Sequence, residues 1–299
     1  MSKRVREHSS QAVLRRSQLY VPANVERMIT KASKLEADSV VFDLEDSVPS
    51  QSKEEARSLI RRVLNELDWG SKEVCVRINP LTSLDSYRDL LAVSYLDRVD
   101  ALVVPKADVG IGMVYRATGK PLIPIVETAR GLLRIEDIAA EQGVVALTWG
   151  AADMAFSFGG SVDAFSSNIC VRTKVAATAA AHGLDALDKV YFDVTDIEGF
   201  TAEAREAKKY GFCGKQVIHP NQIAPANAVF SPTVEEIEWA QRILSAYEEG
   251  RKAGKGAVRV GDELVDEVHV RIAERIILRA ANEPRRSGNR AREGAPGEI

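Results

Sequence analysis

Acidic residues follow several short apolar runs of this chain, at points where a strand is expected to end. Glu45 and Asp46 come after VVFDL, Glu127 comes after LIPIV, and Asp153 follows VALTWG by two alanines. Carboxylate oxygens that have no Cys or His partners suit Mg²⁺ or Mn²⁺ better than zinc. Mg²⁺ typically takes one or two protein carboxylates and leaves its other positions to water and substrate oxygens. These acids therefore indicate a Mg²⁺ site, with Mn²⁺ as the alternative.

Two cations end neighbouring runs of the same kind. Arg77 lies near the end of EVCVRIN and Lys106 ends ALVVPK, while Tyr20 and His219 close two further runs. Arginine can bind a carboxylate through two parallel hydrogen bonds, which lysine cannot do. The pairing of acids with these cations indicates an anionic substrate that is held beside a metal ion.

Each of these residues also has a purely structural explanation. Glu45 and Asp46 are more often expected simply to begin a loop, and Arg77 is equally expected in an internal ion pair. Glu127 and Asp153 are each as well placed to cap or begin the helix that follows. His219, next to a proline, is more often structural than catalytic. The recurrence of such residues at the ends of separate strands is what favours a functional site.

The elements that must position these residues alternate between strand and helix patterns. Helical patterns cover 24–36, 52–67, 86–96, 131–143, 170–183 and 200–211, whereas 108–119 is too glycine-rich for a good fourth helix. This alternation predicts an α/β fold, a TIM-type (β/α)₈ barrel with chemistry at the C-terminal strand ends. A doubly wound sheet should show a glycine-rich turn after the first strand, and YVPANVERM has no glycine. The predicted strands are 17–23, 38–46, 73–79, 101–106, 122–128, 145–150, 189–196 and 215–220.

The chain is expected to divide into a flexible N-terminus (1–15), the barrel (16–230), an appendage (231–281) and a disordered tail (282–299). In the appendage we expect a helix over 233–254, a hairpin over 258–265 around Gly261-Asp262, and a last helix over 265–280.

Composition excludes several classes of protein. The net charge of −3 gives no basic field for nucleic acid, and no apolar run is long enough for a membrane span. The three cysteines are widely spaced and form no CxxC pair, which predicts neither a zinc ribbon nor a disulfide framework. A reducing, cytoplasmic location fits this cysteine usage best.

Short motifs in order along the chain resemble the HpcH/HpaI aldolase and citrate lyase β-subunit family. Within it, the sequence is most similar to malyl-CoA and citramalyl-CoA lyases, from about residue 15 to residue 280. The motifs are RSQLYVP (16–22), LEDSV (44–48), VRIN (76–79), VPK (104–106), ETARG (127–131), GAAD (150–153), GK (214–215) with IHP (218–220), and LVD (264–266).

The resemblance implies a (β/α)₈ barrel that assembles as a homotrimer or hexamer. It implies that Glu127 and Asp153 bind Mg²⁺ directly, so that Glu45 and Asp46 orient the waters of the metal. Arg77 matches a residue that contacts the oxygens of the substrate. The remaining correspondences are Tyr20 and Lys31 at the CoA ester, Ala152, Asp153, Ile218 and His219 at the substrate, and Asp266 delivered into a neighbouring subunit.

The expected reaction is reversible carbon–carbon cleavage of a 3-hydroxyacyl-CoA of the malyl-, methylmalyl- or citramalyl-CoA type. The products are a small 2-oxo acid and an acyl-CoA, by retro-Claisen chemistry. Glu127 takes part through the metal, Arg77 stabilises the enolate oxygen, and Asp266 moves the proton, in trans.

Two departures from the family leave alternatives open. Val25 stands where some malyl-CoA lyases carry an arginine near CoA, and the segment after Gly160 is shorter than theirs. The alternatives are a malyl-CoA thioesterase, a citrate lyase β-subunit-like protein, a CoA-independent class II 2-oxo acid aldolase, and a non-catalytic subunit or binding module. The appendage favours a free-standing CoA enzyme, because citrate lyase β-subunits generally lack it.

Overall fold

The computed structural model of the chain describes residues 13–252, 254 and 256–281, which form two units, 13–230 and 231–281. Eight parallel strands of the first unit close into a barrel, in which each strand pairs with the next and the last pairs with the first. The predicted barrel is confirmed. The strands are β1 Ser17–Pro22, β2 Ser39–Asp43, β3 Glu73–Arg77, β4 Ala101–Val104, β5 Leu122–Val126, β6 Ala146–Trp149, β7 Asp185–Asp188 and β8 Gly214–Val217.

Helices surround this barrel and complete the first unit. The helix that carries Asp153 and the short one after it, which occupies the segment following Gly160, have no counterpart among the predicted helices. The helices are α1 Glu26–Ser33, α2 Lys53–Glu66, α3 Leu84–Val93, α4 Gly112–Thr118, α5 Ala129–Leu133, α6 Ile135–Ala140, α7 Ala151–Phe158, α8 Val162–Ser166, α9 Ile169–His182, α10 Ile197–Lys209 and α11 Ile223–Phe230.

The side-chain period of two along each strand separates two apolar cores. Val41, Cys75 and Ile125 belong to a cluster that fills the inside of the barrel. Their neighbours Val40 and Phe42 belong to the larger cluster between the strands and the helices. Because positions 41, 43, 75 and 77 share the inward face, Asp43 and Arg77 continue the interior toward the C-terminal end of the barrel.

The seventh strand lies upstream of its predicted position. β7 is Asp185–Asp188, whereas 189–196 is irregular and exposes Phe192. β7 was not predicted because it has an acid at each end, which is not typical of a buried strand. Both acids form ion pairs in the fold. Asp185 binds Arg15 at 2.6 Å, and Asp188 binds Lys215 at 2.7 Å. The prediction of a strand over 189–196 was wrong for this reason.

Three smaller differences concern segments between the strands. The glycine-rich stretch 108–119 does contain a helix, α4, which ends at Gly119 in the left-handed conformation with φ +69°. The single helix predicted over 131–143 is two short helices that meet at Arg134. Arg15, the last residue of the predicted flexible N-terminus, is buried and donates to Glu73 at 2.9 Å. Residues 1–12 and the predicted tail 282–299 lie outside the described residues.

The second unit contains two helices and a small antiparallel hairpin. Ala240, Ile243, Val265 and Ala273 form its own buried core. The predicted order of helix, hairpin and helix is present in the structure. The elements are α12 Val234–Lys252, β9 Val258–Val260, β10 Glu263–Val265 and α13 Glu267–Ala281.

Candidate active site

The inward-facing ends of β2 and β3 carry a paired acid and base. Asp43 and Arg77 are register partners, and the guanidinium donates from Nε to Oδ1 and from Nη2 to Oδ2, both at 2.7 Å. The Asp43 carboxylate also accepts from the backbone N–H groups of Glu45 and Ser47. Burial disfavours the charged form of Asp43, but the hydrogen bonds and charge of Arg77 hold the pKa of Asp43 below its usual value. This pair fixes the plane of Arg77.

Glu45 lies between two cations just beyond the end of β2. Lys106 Nζ is 2.5 Å from its Oε1, and Arg77 Nη1 is 3.0 Å from its Oε2. The second contact is an ion pair whose geometry does not form a hydrogen bond, so Oε2 keeps its capacity to accept one. Burial raises the pKa of Glu45, and Arg77 and Lys106 oppose that shift. Asp46, the next residue, is exposed.

Lys106 connects the acids that follow three different strands. Its ammonium contacts Glu45 and lies 3.6 Å from Oδ1 of Asp153, and its backbone N–H donates to Oε1 of Glu127 at 2.7 Å. Burial alone would lower the pKa of Lys106, but the hydrogen bond and charge of Glu45 raise it. The cation predicted to contact a substrate is thus engaged with protein carboxylates.

Glu127 and Asp153 bring two carboxylates to the end of β5 and the start of α7. Glu127 is 3% exposed, whereas Asp153, the third residue of α7, is partly exposed. Burial, followed by the negative charge of Asp153, raises the pKa of Glu127 to about 8. A pair of acids that repel each other in this way is a site where a divalent cation is strongly favoured.

Gly150 keeps the space in front of Glu127 open. A Cβ atom at this position would lie 2.6 Å from Oε2 and 3.2 Å from Cβ of Glu127. The described residues contain no group of three or more His, Cys, Asp or Glu side chains that could hold a metal ion. Glu127 and Asp153 present two carboxylates, a donor set that fits Mg²⁺, which typically takes one or two protein carboxylates and leaves its other positions to water and substrate.

Tyr20 lies on the inward face of β1, beside Arg77. The guanidinium carbon is 5.3 Å from the centre of its ring, and its buried hydroxyl has no hydrogen-bond partner among the described residues. Burial raises the pKa of Tyr20, so its hydroxyl stays protonated. A neutral donor without a partner is expected to bind an oxygen of a ligand.

The other predicted contacts are more widely distributed. Ala152 is the second residue of α7, beside Asp153. His219 caps the short helical turn Pro220–Gln222 by accepting from Asn221 N–H at 3.2 Å, and Ile218 N–H donates to Gln222. Lys31 is exposed in the last turn of α1.

Asp266 belongs to the second unit. Its Oδ1 accepts from the N–H of Val268 at 3.0 Å and lies 2.8 Å from Nδ1 of His269. The hydrogen bond with His269 lowers the pKa of Asp266, which keeps this exposed carboxylate ionised.

Sequence reasoning missed one buried lysine that shapes the site. Lys53, the first residue of α2, donates to the backbone oxygens of Leu44 and Glu45 and to Oδ1 of Asn79 at 2.7, 3.0 and 2.6 Å. It thereby fixes the loop that carries Glu45. Nothing in the local pattern distinguishes it from an exposed lysine in a first helical turn, since its partners are far away in sequence.

Comparison with known proteins identifies the family. The model of "HpcH/HpaI aldolase/citrate lyase" matches residues 16–220, which contain all eight strands of the barrel. The chain belongs to this family. A second model, a C–C bond lyase of the TIM-barrel fold, matches residues 168–282. The family predicted from the motifs is confirmed.

Two curated relatives and one solved structure illustrate the range of the family. Citramalyl-CoA lyase, mitochondrial, of Rattus norvegicus is 36% identical and covers 90% of this chain and 87% of its own. A (3S)-malyl-CoA thioesterase of Cereibacter sphaeroides is 35% identical, and the match covers 89% of this chain and 94% of the thioesterase. CitE of Mycobacterium tuberculosis, solved with magnesium, acetoacetate and coenzyme A, is 32% identical with a TM-score of 0.75, covering 89% of this chain and 97% of its own.

Proposed function

We propose that this chain is a Mg²⁺-dependent carbon–carbon lyase. Its substrate is a 3-hydroxyacyl-CoA that carries a carboxylate, of the malyl-, methylmalyl- or citramalyl-CoA type, and its products are a 2-oxo acid and an acyl-CoA. The observation that carries the proposal is the buried Glu127 beside Asp153, on the same barrel end as Arg77 and Tyr20. The lyase among the relatives supports it.

Glu127 and Asp153 are the residues that would hold Mg²⁺. Their hard oxygens, their mutual repulsion and the space that Gly150 leaves beside Glu127 support this assignment. When bound, the ion supplies Lewis-acid polarisation of the substrate oxygens. Glu45, whose Oε2 retains accepting capacity, is placed one layer out, where with Asp46 it would orient water.

Arg77 and Tyr20 would bind the reacting part of the thioester. The bidentate bond to Asp43 holds the guanidinium in one orientation before a ligand arrives. A fixed positive charge beside a neutral hydroxyl donor stabilises the negative oxygen of the acyl-CoA enolate without reorganisation during the reaction. We assign Lys31, Ala152, Ile218 and His219 to substrate or CoA contacts.

Asp266 is the proposed general acid–base group, contributed by a neighbouring subunit of a homotrimer or hexamer. Its carboxylate is exposed, and the contact with His269 orients it. Mixing Asp266→Asn with Glu127→Gln subunits tests this role, because mixed oligomers contain sites with both intact groups. Recovery of activity on mixing is expected, and an Asp266→Asn enzyme with full activity would overturn the assignment.

The reaction itself is tested with a panel of malyl-, methylmalyl- and citramalyl-CoA. We expect glyoxylate or pyruvate together with an acyl-CoA, loss of activity in EDTA, and recovery with Mg²⁺. Metal-independent cleavage, or no cleavage of any member of the panel, would contradict the proposal.

A malyl-CoA thioesterase is the second candidate, favoured by the Cereibacter sphaeroides relative. Hydrolysis would release malate and free CoA instead of glyoxylate and acetyl-CoA, so product identification separates the two reactions. A CoA-independent aldolase would instead cleave free 2-oxo acid aldols and bind no CoA ester in calorimetry.

None of the helices in the described part of the chain has the length and apolar character that a membrane span requires. The chain's cysteines, Cys75, Cys170 and Cys213, are widely spaced in the sequence and form no CxxC pair. They support our proposal that the enzyme works in the reducing cytoplasm. Fractionation of the source cells tests the location.

A further inference from the structure

Lys106 adopts a backbone conformation that residues with side chains rarely adopt. Its φ is +48°, and among the described residues it is the one non-glycine residue with positive φ. Left-handed backbone is unfavourable for a residue with a Cβ atom, and such positions persist where the surrounding structure imposes them. We therefore expect Lys106 to make contacts that require this backbone conformation.

Those contacts are with the carboxylates of the site. The backbone N–H of Lys106 donates to Glu127 at 2.7 Å. The ammonium lies 2.5 Å from Glu45 and 3.6 Å from Asp153. One residue thus orients one acid through its main chain and neutralises two others through its side chain.

The charge of this ammonium matters for any ion that binds between Glu127 and Asp153. Glu45 also has Arg77 at 3.0 Å, so it stays compensated if Lys106 moves. The side chain of Lys106 is 35% exposed and can move outward, whereas Glu45 is 4% exposed. A divalent cation at Asp153 would lie close to the ammonium, and like charges at that separation repel.

We propose that Lys106 acts as a counter-cation at the metal site. Before the divalent ion binds, the Lys106 ammonium offsets the negative charge of Asp153, and it therefore competes with that ion. Its backbone N–H positions Glu127. The proposal rests on the proposed function, because it takes Glu127 and Asp153 as the metal ligands. Lys106 acts here as a positioning residue that sets the affinity for the metal.

Titration of the full-length protein with Mg²⁺ alone, in calorimetry, tests the proposal. Lys106→Met removes the charge and keeps the N–H to Glu127, so Mg²⁺ should bind about tenfold more tightly. Lys106→Arg, which keeps a cation, should bind like the wild type. Lys209→Met is the matched control, since it removes an exposed lysine that pairs with Glu206 on the surface.

Thermal unfolding gives a second readout on the same variants. Without metal, Lys106→Met should melt at a lower temperature than the wild type, because Asp153 loses its cation. Added Mg²⁺ should raise its melting temperature by more than it raises that of the wild type. Unchanged or weaker Mg²⁺ binding by Lys106→Met, with wild-type binding intact, would overturn the counter-cation role alone. Absence of Mg²⁺ binding by the wild type would instead contradict the proposed function.

Discussion

Asp43 and Arg77 form an in-register pair across β2 and β3, on the inward face of the barrel toward its C-terminal end. Two parallel hydrogen bonds of 2.7 Å join them. Lysine cannot reproduce this geometry. Arg77→Lys should therefore lower kcat/KM for the CoA ester by about 10²–10³-fold, the usual cost of losing an oxyanion donor. Mg²⁺ affinity, measured by calorimetry, should change little. Full activity in Arg77→Lys would exclude Arg77 from enolate stabilisation.

The acids that follow β2 and β5 should differ in their effect on metal binding. Glu127→Gln removes a proposed ligand and should abolish Mg²⁺ binding in calorimetry. Glu45→Gln should weaken it only moderately, about tenfold, because Glu45 acts through water and through its cations. Glu26→Gln, at a surface ion pair with Arg62, is the control. Equal losses in both site variants would show that Glu45 is itself a ligand.

The raised pKa of Glu127 predicts a pH dependence of the metal-free protein. Its pKa is about 8 in the folded state and 4.5 ordinarily, so the folded state holds this proton more tightly. The resulting stabilisation is complete below pH 4.5 and is lost as the pH rises toward 8. Glu127→Gln keeps a neutral group and should lack this loss. Melting curves in EDTA from about pH 5 to pH 8 test it, and parallel curves for the two proteins would contradict it.

The buried charges between the barrel strands and the surrounding helices should be required for folding stability. Asp188, fully buried, accepts from Trp149 Nε1 at 3.0 Å and binds Lys215 Nζ at 2.7 Å. Asp188→Asn leaves the Lys215 ammonium short of a charge partner and should cost about 3–5 kcal/mol of unfolding free energy. Denaturant titration measures the loss, and Asp163→Asn, on the exposed face of α8, should be nearly neutral. A loss below about 1 kcal/mol would show that the other contacts of Lys215 suffice.

Most of the barrel could be predicted from the sequence because its strands are apolar runs set between helical patterns. β2 and β5 are buried along their whole length, and three of the five residues in each are β-favouring Val, Ile or Phe. β7 failed this test because Asp185 and Asp188 break the apolar run. Their partners, Arg15 and Lys215, are distant in sequence, so nothing local marks these acids as buried.

The residues of the candidate site were likewise predicted only in part. Placing the chemistry at the C-terminal strand ends predicted that Glu45 and Arg77 lie close together, and the two are in contact. The role of Lys106 could not be predicted, because a positive φ at a lysine leaves no trace in residue type. The burial of Lys53 could not be predicted from its neighbours in sequence, because its acceptors are backbone oxygens and Asn79.

Gly150 sets a limit on how this enzyme can be remodelled. Any other residue there would place a Cβ 2.6 Å from a Glu127 oxygen and 3.2 Å from its Cβ, so Glu127 would have to shift, and we expect a library that varies position 150 to weaken metal binding. Efforts to broaden substrate choice are better directed at the short segment after Gly160, where Val162, Asp163 and Ala164 of α8 are exposed. The tolerance of this fold to redesign thus depends on two sites: Gly150, where there is no room for a side chain beside Glu127, and α8, where exposed residues can be exchanged.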